Sequence, residues 1–130
     1  MVRSILLISH GELAVAMKSS VELIIGEQPD LFALPMNEQD TLDSYTTQLE
    51  RKVNELLKEY DELLILADIK GGTPCNAATR QILTKENIHL ISGYHLGLVI
   101  ESCLTESAPQ DIINNTNIGI AYVNNDIKKQ

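Results

Sequence analysis

Leu63-Leu64-Ile65-Leu66-Ala67-Asp68-Ile69-Lys70-Gly71-Gly72-Thr73-Pro74-Cys75-Asn76 is the stretch that decides the fold. Its first five residues form a continuous apolar run rather than an alternating one. Continuity means burial on both faces, the environment of a central strand in a parallel sheet covered by helices. The run ends in a carboxylate and is followed by two glycines and a Thr-Pro pair. Glycine permits positive φ and close backbone approach, Thr73 suits an N-cap, and Pro74 suits the first helical position, where its missing N–H is not needed. Residues 63–76 therefore read as strand, tight turn and helix start, with the helix expected from Pro74 to Lys85.

Working outward, the same alternation of strand-like and helix-periodic segments repeats. Arg3 to Ser9 is an apolar strand, and Leu13 to Ile25 carries Leu13, Ala16, Met17, Val21, Ile24 and Ile25 at helical spacing before Gly26 stops it. Leu31 to Pro35 is a short strand that Pro35 ends or demotes to an edge. From Thr41, apolar positions at steps of three and four (Leu42, Tyr45, Leu49, Val53, Leu56, Leu57, Tyr60) make an amphipathic helix. Downstream come a strand from Ile88 to Ser92 and a helix from Leu96 to Thr105. Ile118 to Val123 is expected to close the sheet as a fifth strand. Ala108 to Asn117 is polar and Asn-rich with no strong helical period, and Asn124 to Gln130 is polar and expected to fray. The pattern predicts a single-domain α/β fold, a three-layer α/β/α sandwich around a mostly parallel sheet.

Composition narrows the function classes. The 130 residues suit one domain, and 10 Lys plus Arg against 18 Asp plus Glu give a net charge of −8. The basic residues are scattered, so nucleic acid and anionic membrane surfaces are poor partners, whereas a basic or complementary protein face suits the acidity. Cys75 and Cys103 form neither a disulfide framework nor a CxxC zinc site, which points to a reducing cytosol. No apolar run approaches the ~20 residues needed to span a bilayer, and the N-terminus enters strand-like sequence rather than a signal peptide. A cytoplasmic location is expected. If the chain serves a membrane process, another subunit must supply the membrane.

His10 ends the run Ile5-Leu6-Leu7-Ile8-Ser9 and is followed by Gly11, so an imidazole stands where a buried strand opens into a loop. In open parallel sheets that rim is where ligands bind. A histidine helping to cap the next helix is the plainer explanation for His10 alone. Asp68 ends its own strand in the same way, and if the two strands are neighbours the carboxylate and imidazole converge. A carboxylate on one ring nitrogen sets the tautomer, leaves the other nitrogen as a nucleophile, and stabilises the positive charge that develops on attack. Free N–H groups at the helix start near Cys75 and Asn76 favour an oxyanion or phosphoryl group through hydrogen bonds and the helix dipole. A solvated Asp68 and a purely structural Gly-Gly turn are the alternative for this second element.

Other chemistries lack their marks. Neither GxxxxGK[ST] nor GxGxxG is present, so nucleotide binding has no phosphate loop. A phosphoacceptor-aspartate receiver needs acidic residues after the first strand, where Ser9-His10-Gly11 stands instead. No HxxxH or HExxH spacing supports a metal site from His10, Asp68 and His95, and no cofactor is expected. His89 lies within a strand pattern and reads as structural. His95 follows Gly93-Tyr94 at a strand exit and reads as a loop histidine at the rim. Cys75 has no catalytic partner and reads as a small packing residue.

With His10-Gly11 after the first strand and Asp68-x-x-Gly71-Gly72-Thr73-Pro74-x-Asn76 after the third, the chain resembles the IIA component of the mannose family of sugar phosphotransferase systems. The order and spacing of elements agree from Met1 to about Leu104. The resemblance implies a cytoplasmic phosphocarrier that accepts a phosphoryl group from the phosphohistidine of the carrier protein HPr. It would pass the group to a histidine of the IIB component, which phosphorylates sugar entering through membrane IIC and IID subunits. His10 matches the phosphorylated histidine and Asp68 its orienting carboxylate. Gly71, Gly72 and Thr73 match the loop beside the phosphoryl group, with Ser9 and Asn76 at its periphery. Strand order 2-1-3-4 and a final antiparallel strand exchanged between subunits of a homodimer are likewise implied. Two positions depart from the family pattern: Lys70 replaces an aromatic or aliphatic residue before the glycines, and Cys75 replaces a Phe after the proline. Two relatives of this arrangement are the phosphocarrier subunit of dihydroxyacetone kinase, which usually follows its histidine with Ser rather than Gly11, and the same domain within transcriptional regulators. A free-standing chain of this length favours the transporter branch over the regulators.

Overall fold

The computed structural model describes residues 2–128. Its elements run β1 (Arg3–His10), α1 (Leu13–Ile25), β2 (Leu31–Met36), α2 (Leu42–Glu59), β3 (Glu62–Ala67), α3 (Thr73–Thr84), β4 (Ile88–Ser92), α4 (Leu96–Leu104), α5 (Pro109–Asn117) and α6 (Val123–Ile127). The sheet has four strands in the order β2-β1-β3-β4, all parallel. The two continuous apolar runs occupy its centre, as their sequence predicts, and Pro35 lies on the edge strand β2.

Side chains alternate across the sheet and build a core on each face. Leu6, Ile8, Leu63, Ile65 and Ala67 pack against Tyr45, Leu49, Val53 and Leu56 of α2 and Ala77 and Ala78 of α3. Ile5, Leu7, Leu64, Leu66 and Ile91 pack against Ala14 and Val21 of α1, Leu98 and Val99 of α4, and Ile112 of α5. Leu6, Leu7, Ile8 and Leu63 to Leu66 are fully buried, and each such side chain contributes roughly 1.5–3 kcal/mol. Helix α2 starts at a capping box: Thr41 accepts from the Ser44 N–H and the Ser44 hydroxyl accepts from the Thr41 N–H.

Register sets the rim. β1 pairs with β3 from Arg3↔Glu62 to Ile8↔Ala67, so His10 and Asp68 emerge side by side. From there the chain leaves in opposite directions, β1 through α1 to β2 and β3 through α3 to β4. This is a topological switch point, where a doubly wound sheet opens a crevice.

The C-terminal region differs from expectation. Ala108 to Asn117 contains a helix, α5, with Pro109 in its first turn and Ile112 fully buried as its anchor. Ile118 to Val123 is not a strand. The Gly119 N–H donates to Thr116 and the Ile120 N–H to Asn117, so these donors close turns on the end of α5 instead of forming a ladder. Ile118, Ile120 and Tyr122 are left 83%, 70% and 68% exposed. Residues 123–127 then form the short, exposed helix α6. Of the tail expected to fray, Lys129 and Gln130 lie outside the described residues.

Candidate functional site

His10 and Asp68 meet at the rim as their strand positions foreshadow. His10 Nδ1 lies 2.9 Å from Asp68 Oδ2, and the backbone N–H of His10 donates to that same oxygen at 2.9 Å. The other carboxylate oxygen, Oδ1, accepts the N–H of Ile69 at 2.9 Å. Asp68 is thereby immobilised, its side chain only 10% exposed, while the His10 side chain is 46% exposed. A carboxylate at Nδ1 keeps the proton of a neutral imidazole on that nitrogen and leaves the Nε2 lone pair free.

The two glycines divide their labour. Gly71 has φ +84, which bends the loop back toward the rim, and its carbonyl accepts from the Asn76 side chain at 3.2 Å. Gly72 has an extended backbone and supplies closeness: a Cβ there would lie 2.6 Å from His10 Cε1 and 3.2 Å from Nε2. The ring rests on that backbone because no side chain intervenes.

The start of α3 differs by one residue from expectation. Gly72, not Thr73, is the N-cap, its carbonyl accepting the Asn76 N–H at 2.9 Å, and Pro74 follows within the first turn. No side chain caps the helix. Thr73 opens the helix one residue from the glycine that touches His10. An uncapped helix start beside a nucleophilic nitrogen is suited to an anion, through its N–H donors and the positive end of the helix dipole.

Ser9 is fully buried and turned away from the crevice, its hydroxyl donating to the Gly11 carbonyl and accepting the Ala14 N–H, both at 2.8 Å. It secures the loop that follows His10. Lys70 and Cys75 line a cleft of about 320 Å³ between α3 and β4, with Asn76, Thr79, Leu90 and Ser92. His95 caps α4, its Nδ1 accepting the Leu98 N–H at 3.3 Å, and His89 pairs with Glu62 at 3.3 Å. Neither joins His10.

Two buried tyrosines stand beneath the pair. Tyr45 donates to the Leu34 carbonyl at 2.6 Å, and Tyr94 donates to the Ile8 carbonyl at 3.3 Å. Burial, then the nearby Asp68 charge, pushes the Tyr94 phenol up to about 12, and the same two causes raise Tyr45. Sequence reasoning passed over both. Tyr45 sits in the apolar stripe of α2 and Tyr94 in a loop, so only the partners of their hydroxyls distinguish them.

Known proteins share this fold and sequence. A family model described as the fructose IIA component of the phosphotransferase system matches residues 4–115. The fructose-specific EIIA component of Bacillus subtilis (strain 168) is 30% identical over 114 residues, which cover 86% of this chain and 77% of that protein. Among solved structures, the mannose/sorbose specific IIA subunit from Enterococcus faecalis superposes with a TM-score of 0.83 at 27% identity, covering 93% of this chain and 94% of that one. The IIA protein associated with the fucose utilization operon of Streptococcus pneumoniae superposes with a TM-score of 0.91 over 98% of both chains, at 22% identity, a likeness of fold. A match through β1, the Asp68 loop and the sheet that joins them makes the chain a member of the mannose-type IIA family of sugar phosphotransferase systems.

Proposed function

We propose that this chain carries a phosphoryl group on Nε2 of His10, taken from the phosphohistidine of HPr and given to a histidine of a IIB component. The observation that carries the proposal is the 2.9 Å contact of Asp68 with His10 Nδ1, which leaves Nε2 free beside the uncapped start of α3. The Nε2 lone pair attacks phosphorus, the P–N bond of the donor breaks, and its electron pair returns to the donor imidazole. His10 then holds its Nδ1 proton against Asp68, whose charge offsets the imidazolium character of the phosphorylated ring. Gly71, Gly72, Thr73 and the N–H groups that follow receive the equatorial oxygens, Thr73 adding its hydroxyl, while Ser9 and Asn76 hold the loops in place. Such a transfer needs alignment and charge stabilisation rather than a metal or cofactor.

Both partners are proteins of the cytoplasm in this scheme, and IIC and IID subunits supply the membrane step. Among the described residues no helix is long and apolar enough to cross a membrane. A homodimer is part of the proposal. Ile118, Ile120 and Tyr122 alternate along an exposed segment, and β4 is an edge strand, so residues 118–122 of one subunit, once released from their turns on α5, can complete the sheet of another.

Mass spectrometry of the protein incubated with phosphoenolpyruvate, Enzyme I and HPr tests the reading. An acid-labile phosphoryl group on the wild type, absent from His10→Ala, is expected. Undiminished uptake by His10→Ala would refute it.

A further inference from the structure

The corner between β4 and α4 lies outside both motifs yet grips the two strand ends that bear them. Gly93, at φ +86, donates its N–H to the Ala67 carbonyl at 2.8 Å, and the Tyr94 N–H reaches the same carbonyl at 3.4 Å. Ala67 immediately precedes Asp68. The Tyr94 ring is buried against the core on the α1 and α4 side, and its hydroxyl donates to the Ile8 carbonyl, two residues before His10. One residue therefore holds the end of β3 through its backbone and the end of β1 through its side chain.

We propose that Tyr94 is a positioning residue for His10, bracing the Ile8 carbonyl so that the imidazole and backbone N–H of His10 both stay on one oxygen of Asp68. The proposal rests on His10 being the phosphoryl carrier. Both 2.9 Å contacts to Oδ2 tie the end of β1 to the end of β3, so both depend on how those two ends are set against each other. Ser9 ties the chain to the start of α1, through the Gly11 carbonyl and the Ala14 N–H. Tyr94 supplies the opposing hold from the α4 side. Without its hydroxyl the end of β1 keeps its sheet neighbours in β2 and β3 and the Ser9 anchor but loses the hold from the α4 side, and the His10 N–H and Nδ1 are less firmly kept on one oxygen. Tyr45 does not substitute, since its hydroxyl bonds to Leu34 in β2, a strand that carries neither partner. Because its phenol titrates far above neutrality, Tyr94 remains a donor at any working pH.

Tyr94→Phe keeps the ring and removes the brace. Tyr60→Phe is the matched control, since the Tyr60 hydroxyl bonds to Asp30 at 2.7 Å on the opposite rim. Three measurements are made on both: nitrogen NMR of the His10 imidazole against pH, single-turnover phosphoryl uptake from phosphorylated HPr, and thermal melting. Tyr94→Phe is expected to stay folded, to keep the half-saturating HPr concentration, and to lose maximal rate on the order of tenfold. Its His10 spectrum should show a smaller fraction of the Nδ1–H tautomer, and Tyr60→Phe should match the wild type. Equal tautomer fractions and rates in the two variants would overturn the proposal. So would loss of the fold in Tyr94→Phe, which would make the hydroxyl a general support of the sheet. A wild type that takes up no phosphoryl group would overturn the carrier reading instead, and the imidazole spectra would still decide on Tyr94.

Discussion

Gly72→Ala isolates the close approach on which the site depends. Gly72 has φ −77 and ψ 168, a backbone that alanine adopts without strain, so the substitution acts only through the added methyl group. That Cβ would lie 2.6 Å from His10 Cε1, 3.2 Å from His10 Nε2 and 3.0 Å from Ile69 Cγ2. Ile69 is exposed and yields easily. The imidazole must retreat by about 1 Å to restore an ordinary carbon–carbon contact of roughly 3.5 Å. Its freedom lies toward solvent, away from the start of α3, and the movement strains the 2.9 Å contact with Asp68. A misplacement of about 1 Å at a reacting group costs about 100-fold in rate. Stability should change by less than about 1 kcal/mol, because alanine at a compatible backbone restricts the unfolded chain. Single-turnover phosphoryl transfer from phosphorylated HPr, with a thermal melt of the same sample, measures both quantities. A folded Gly72→Ala protein that accepts phosphate at the wild-type rate would refute the claim that His10 works against the Gly72 backbone.

Two further predictions test the carboxylate and the buried phenol. Asp68→Asn keeps the shape but removes the charge that offsets the imidazolium, and since a hydrogen bond to a charged group is worth ≈ 1.5–3 kcal/mol, transfer should slow by about 10- to 100-fold without vanishing; an unchanged single-turnover rate would make Asp68 purely structural. The Tyr94 phenol is raised from the ordinary 10 to about 12 in the fold, so its own contribution to stability is constant below pH 10 and is lost from there to 12, as the unfolded chain gives up its proton first. Melting temperatures across that window should fall less steeply in Tyr94→Phe than in the wild type, and parallel curves would contradict the assignment.

The legible parts of the molecule were those whose physics is local. Leu63 to Ala67 and Ile5 to Ile8 announced central strands because only a doubly covered sheet buries every residue of such a run. His10 and Asp68 could be paired because both stand at the ends of those strands. The C-terminal region departs from its sequence pattern for the opposite reason. Ile118, Ile120 and Tyr122 alternate as a strand does, yet a strand needs a ladder partner, and within one chain the Gly119 and Ile120 N–H groups turn back onto α5. That helix rests on the burial of Ile112 against the sheet, which a polar, Asn-rich stretch does not advertise. The Gly71-Gly72 pair signalled close approach, but which glycine turns the chain and which meets the ring emerged only from their dihedral angles. Tyr94 was invisible because its hydroxyl acts on a carbonyl 86 residues away in the chain.

The nitrogen that carries the phosphoryl group decides whether Asp68 and the start of α3 have the roles given them. Nitrogen-15 and phosphorus-31 NMR of the histidine-labelled protein, phosphorylated through Enzyme I and HPr, reads this directly. Coupling between phosphorus and Nε2 of His10, with Nδ1 still protonated beside Asp68, is the predicted result. Phosphorus on Nδ1 of His10, or on His89 or His95, would contradict it.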